Sequence, residues 1–131
     1  MDELPIQSGD DVVRVRQHVR VTAAHNGLSL VDQTKLVTAA SELARNTLVH
    51  GGGGVVQVEV VKSPNGRVGV KLQFTDEGPG IADVDLALRD GWSTGNGLGL
   101  GLSGSRRLVD EFELTSRPGA GTSVAVVKWS R

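Results

Sequence analysis

The sequence predicts a two-layer α/β sandwich, with a mixed, largely antiparallel sheet covered on one face by helices. Three observations predict it. Val55–Val61 and Val68–Phe74 are β-branched, apolar-rich runs joined by Ser63-Pro64-Asn65-Gly66, a strong hairpin turn. A second pair, Glu113–Ser116 and Thr122–Trp129, flanks Pro118-Gly119-Ala120-Gly121. Between Ser29 and His50, Leu36, Ala39, Ala40 and Leu43 recur at helical spacing. Hairpins supply antiparallel pairs, and the helices bury their apolar stripes on one face of the resulting sheet.

Taken in order, residues 4–7 are expected as a short first strand. From Asp10 to Asn26 the valines at 12, 13, 15, 19 and 21 would suit a strand as well as a helix. No turn signal interrupts them, and Gly9-Asp10 and Asn26-Gly27 bracket the stretch as a helix. Ser29, followed three residues later by Asp32, resembles a capping box with Asp in the usual Glu or Gln position. That opens the central helix, which runs to about His50 and stops at Gly51-Gly52-Gly53-Gly54. After the first hairpin come a loop from Thr75 to Ile81, a short helical stretch near Asp83–Arg89 and a glycine-rich segment from Gly91 to Gly101. A helix is expected from Leu102 to Asp110, then the second hairpin.

The 131 residues suit one domain over 1–131, long enough to bury a core without disulfides or metal. The chain has no cysteine, which excludes thiolate chemistry and fits a reducing cytoplasm. With 14 basic and 15 acidic residues and 3% aromatics, neither a basic run nor a stacking platform marks it for nucleic acid. No apolar run approaches the roughly 20 residues of a membrane span. The outlier is glycine, 18 residues gathered in three places, a pattern of close backbone approach or positive φ.

Three segments carry candidate chemistry. Glu42, Asn46 and His50 are spaced by four, so an acid, an amide and an imidazole share one helix stripe. An ordinary polar helix face accounts for that stripe equally well on its own. Asp76-Glu77-Gly78-Pro79-Gly80 ends a strand expected to be central. An ionised carboxylate there accepts hydrogen bonds only, which suits the exocyclic amine of adenine. Asp with Pro-Gly is also plain turn punctuation. Gly97-Leu98-Gly99-Leu100-Gly101 lies just before a helix, where successive N–H groups bind anions such as phosphate. Gly99 to Gly104 formally matches the dinucleotide fingerprint, but no strand precedes it directly, and the segment lacks the lysine of a Walker loop.

Together, Glu42-Leu43-x-x-Asn46, Asp76-x-Gly78-x-Gly80 and Gly97 to Gly101 resemble the N, G1 and G2 boxes of the GHKL ATPases, the family of gyrase, Hsp90, histidine kinases and MutL. Gly121-Thr122 resembles that family's last box. The resemblance spans residues 5–130 and implies the Bergerat ATP-binding fold. It implies Glu42 as base, Asn46 on magnesium and Asp76 on adenine, with Gly78, Gly80 and Ile81 around the base. His50, Gly97, Leu98, Gly99, Leu100, Gly101 and Thr122 would line the nucleotide pocket.

Within the family, the lone domain is most similar to the serine/threonine switch kinases of bacterial partner switching and the stressosome. Gly91-Trp92-Ser93-Thr94, Gly101 to Phe112 and the ending Val127-Lys128-Trp129-Ser130-Arg131 carry that likeness. It implies ATP and Mg²⁺ as cofactors and a STAS-domain protein as phosphoacceptor. It also implies a PP2C-type phosphatase activated by binding or, in the related anti-sigma branch, a sigma factor held directly. Arg45 reaches either phosphate or the surface. Trp92 is a lid anchor or a partner contact, Arg106 and Arg107 touch a partner or only solvent, and Trp129 packs on its strand.

Overall fold

The computed structural model describes residues 1–80 and 102–131. The expected helical stretch at 83–89, the segment 91–101 with Trp92 and Gly97 to Gly101, and Ile81 lie outside the described residues.

Strand β1 runs Asp2–Ile6, two residues earlier than expected. It pairs antiparallel with Gly54–Val58, and as an edge strand it tolerates Pro5 and its acidic start. Helix α1 is Gly9–His25. Its cap is Ser8, whose hydroxyl accepts the Asp11 N–H at 3.3 Å. The helix reading prevails over the strand reading because Asp11, Val15, Val19 and Ala23, each four apart, are the buried set. Helix α2 is Leu30–Val49, with His50 as its C-cap residue.

Strands β2 (Gly54–Lys62) and β3 (Val68–Asp76) form the first hairpin. Helix α3 is Leu102–Leu108, and it stops short of Asp110 because a strand distant in the sequence claims that residue. The Asp110 N–H is taken by the Val127 carbonyl at 2.9 Å, and its carboxylate accepts the Trp129 N–H at 2.7 Å. Strand β4 therefore begins at Glu111 rather than Glu113 and runs to Ser116, returning as β5, Thr122–Trp129.

Among the described residues the sheet has five strands in the order β1-β2-β3-β5-β4, and every ladder is antiparallel. Strand β3 is central, as expected. Val56, Val58, Val70, Leu72, Phe74, Val124 and Val126 point to one face and are buried with Val15, Val19, Leu36 and Leu43 from the helices. The opposite face carries Gln57, Glu59, Lys71 and Gln73, so among the described residues the sheet is covered on one side only. Trp129 packs on its sheet, as expected: its ring lies over Gly69, its register partner, and its indole N–H donates to Glu111 at 2.7 Å.

At the far end of α2, charge is buried. The Asp32 N–H caps on Ser29 Oγ at 3.1 Å, but the Asp32 carboxylate turns to Lys128 Nζ at 3.6 Å and Arg131 Nε at 3.3 Å. The capping box is thus half realised. Lys128 also faces Asp110 at 3.5 Å. Burial pushes the Asp110 pKa up, but the Trp129 N–H, Lys128 and Arg131 together hold it below the ordinary value.

Candidate functional site

The C-terminal end of α2, the end of β3, the start of β5 and the first residue of α3 converge on a cavity of about 290 Å³. Asn46, His50, Asp76, Gly80 and Thr122 line it, five residues singled out from the sequence. Leu43, Phe74, Pro79, Leu102 and Val124 add apolar walls. Mostly apolar walls with a few convergent polar groups are the usual form of a small-molecule site.

Helix α2 places Asn46 and His50 on the cavity because they lie one turn apart. Both the His50 and Gly51 N–H groups close onto the Asn46 carbonyl, and Gly53 N–H bonds to Thr47 O at 2.9 Å. Gly52 and Gly53 have φ of 74° and 107°, so the glycine tract unwinds the helix end and feeds β2 directly.

Asp76 closes β3 opposite Thr122 in the register. Its Oδ1 accepts the Gly78 N–H at 2.9 Å. Burial raises the Asp76 pKa, against the lowering effect of the Gly78 and Thr122 N–H groups. A carboxylate has about four acceptor positions, so capacity remains for a ligand donor. Thr122 Oγ1 lies 2.9 Å from Ser116 Oγ.

The glycines have a chain-to-chain role that local sequence does not display. A Cβ on Gly51 would enter the Asp76 carboxyl group, and one on Gly121, at φ 80°, would enter the Asp76 carbonyl. Gly80, at φ 76°, sits on the Arg117 carbonyl. Gly78 lies against the Gly51 backbone rather than on the cavity wall. Absent side chains therefore let the segments around Gly51 and Gly121 close onto Asp76.

Glu42 does not line the cavity. It stands one turn back along α2, its side chain 36% exposed, with Arg45 Nη1 3.2 Å from Oε1. Arg45 is thus an exposed partner of Glu42, and Arg106 and Arg107 are exposed on α3.

Sequence reasoning missed Thr47, Gly51 and the apolar walls. Thr47 is buried mid-helix, donating to Leu43 O at 2.9 Å, and its position next to Asn46 was the available signal. Leu43 and Phe74 read as core by periodicity, and the cavity is a continuation of that core.

Among the described residues no group of three metal-ligating His, Cys, Asp or Glu side chains occurs. Asn46, on the cavity wall, is a residue type whose amide oxygen suits a hard cation with phosphate and water as its other ligands. No described helix is long and apolar enough to cross a membrane.

Residues 31–130 match the family described as histidine kinase-, DNA gyrase B-, and HSP90-like ATPase. The chain is 45% identical over 121 residues to serine/threonine-protein kinase RsbT of Bacillus subtilis (strain 168), covering 92% of this chain and 90% of that one. It is 27% identical over 117 residues to an anti-sigma F factor of Thermoanaerobacter sp. (strain X514), covering 87% and 82%. A solved structure of RsbU and RsbW domains from Mycobacterium tuberculosis shares the fold with a TM-score of 0.61 at 23% identity. That match takes in 100% of this chain and 33% of the other.

Proposed function

We propose, because the chain belongs to the histidine kinase-, DNA gyrase B- and HSP90-like ATPases, that it is a serine/threonine-protein kinase of a bacterial partner-switching module. It transfers the γ-phosphate of Mg-ATP to a serine or threonine of a STAS-domain protein. The observation that carries this reading is the meeting of Asn46, on α2, with Asp76, at the end of β3, on one mostly apolar cavity. The name of the 45% identical relative supplies the reaction class.

Asp76 accepts from the exocyclic amine of adenine, while Leu43, Phe74 and Val124 hold the ring. His50, Gly80 and Thr122 shape the rest of the nucleotide site, with Gly78 packed behind its wall against Gly51. Asn46 gives one oxygen to Mg²⁺, which when bound neutralises charge on the phosphates. Glu42 takes the proton of the acceptor hydroxyl. The acceptor oxygen then bonds to the γ-phosphorus, the bond to the β–γ bridging oxygen breaks, and ADP leaves. The proposed setting is the cytoplasm, with one domain spanning 1–131. Once released from the STAS protein, the kinase activates a PP2C-type phosphatase by binding it. A second reading, an anti-sigma factor that binds a sigma factor directly, draws on the likeness to the anti-sigma F factor.

The test is transfer of labelled phosphate to a STAS-domain protein from the same organism. Label on serine or threonine is expected, reduced about a hundredfold or more by Glu42→Ala and lost in Asn46→Ala. Mg-ATP should also raise the melting temperature, since a ligand of the native state stabilises it. Firm ATP binding without transfer, together with capture of a sigma factor, would replace the kinase reading with the second one.

A further inference from the structure

We infer that the solvent face of α2 is the docking surface for the phosphoacceptor protein, and that it takes a helical segment carrying acidic side chains between apolar ends. This rests on the reading of Glu42 as the group that meets the acceptor hydroxyl.

Val31, Lys35, Thr38, Glu42, Arg45 and Val49 follow one another at alternating steps of four and three. That is the spacing of about 3.5 residues found in helix-packing seams. On α2 it sets all six side chains along one line. The line is open: Val31 is 64% and Val49 61% exposed, and Lys35, Thr38 and Arg45 are exposed as well. Single exposed valines need no explanation. Two of them at the ends of a seam, with the candidate base at its middle, do.

Continuity with the site gives the occupant. Val49 belongs both to the seam and to the cavity wall, whereas Glu42 is on the seam and not in the cavity. An acceptor presented to Glu42 therefore lies along this face. From Val31 to Val49 the seam is about 27 Å long, enough for a partner helix of several turns. A seam of this spacing meshes with helix ridges better than with a strand. Charge sets the polarity of the partner. Lys35 and Arg45 outnumber Glu42, whose carboxylate already holds Arg45 at 3.2 Å, so the face is net positive and favours an acidic segment.

The test uses the full chain with a photocrosslinking side chain at Thr38, and a control at Glu113, exposed on β4 at the uncovered face of the sheet. The partner is the STAS-domain protein used in the phosphate-transfer test. Crosslinking from position 38 should exceed that from 113 at least tenfold and map to a helix of the partner. Equal yields, no product at 38, or a product mapped to a strand would overturn the inference. Val31→Asp and Lys35→Glu alter the seam about 16 and 10 Å along the helix from Glu42. Each should raise KM for the acceptor about tenfold while kcat and the Mg-ATP thermal shift stay unchanged. An unchanged KM in both overturns docking on this face. Crosslinking from 38, alongside a wild-type chain that transfers no phosphate, would leave the docking surface standing and remove the kinase reading.

Discussion

Asp76 shows what a partly buried carboxylate costs the fold that holds it. Its pKa is raised by burial, so the charged form is disfavoured in the native state relative to the unfolded chain. The contribution to stability is therefore fully present below the unfolded value and is lost as pH rises through the raised one. At neutral pH the protein without ligand carries the whole penalty. Asp76→Asn keeps an oxygen for the Gly78 N–H and removes the charge. Its melting temperature without nucleotide should equal or exceed wild type at pH 7, with the gap closing as pH falls. Its affinity for Mg-ATP should drop by about 10- to 100-fold, the worth of a charged hydrogen bond. Melting curves across pH, with and without Mg-ATP, check both halves. A mutant less stable at pH 7 and unaltered in nucleotide binding would mean that Asp76 serves only the turn.

At the scale of elements, α2 links the two ends of the molecule. Its N-terminus is capped by Ser29 and its C-terminus presents Asn46 and His50 to the cavity. Ser29→Ala removes one accepted N–H and should cost about 1 kcal/mol. Denaturant unfolding should show a lower midpoint with an unchanged slope. The helix boundaries were legible wherever a local signal set them, as at Ser29, Gly27 and the tetraglycine stop. They were displaced where a distant strand decided, as at Asp110, which Val127 and Trp129 draw out of α3.

Across the whole molecule, the buried charges of Asp32 and Lys128 pin the start of α2 to the end of β5, at the opposite end of α2 from the cavity. Lys128 lies on the helix-facing side of its strand with Val124 and Val126, where its burial requires carboxylate partners. Without Asp32 the buried Lys128 keeps Asp110 as its one carboxylate partner, so Asp32→Ala should destabilise by about 2 kcal/mol. The exposed Arg45–Glu42 pair should contribute no more than about 1 kcal/mol. Urea titration of Asp32→Ala and Arg45→Ala compares the two, and similar midpoints would refute the distinction.

The sequence by itself determined the sandwich, both hairpins and the central place of β3, each from periodicity or turn chemistry. The gathering of Asn46, His50, Asp76, Gly80 and Thr122 was legible only through the resemblance of their segments to the GHKL boxes. Only the tertiary structure decided that Gly78 and Gly80 face other chain segments, that Glu42 stands outside the cavity beside Arg45, and that Asp32 leaves its cap for Lys128. A period of two or 3.6 residues assigns a side chain to a face. It does not say which residue from elsewhere in the chain will stand opposite. For a glycine or a buried charge, that neighbour settles the role, and it comes into being only when the layers pack.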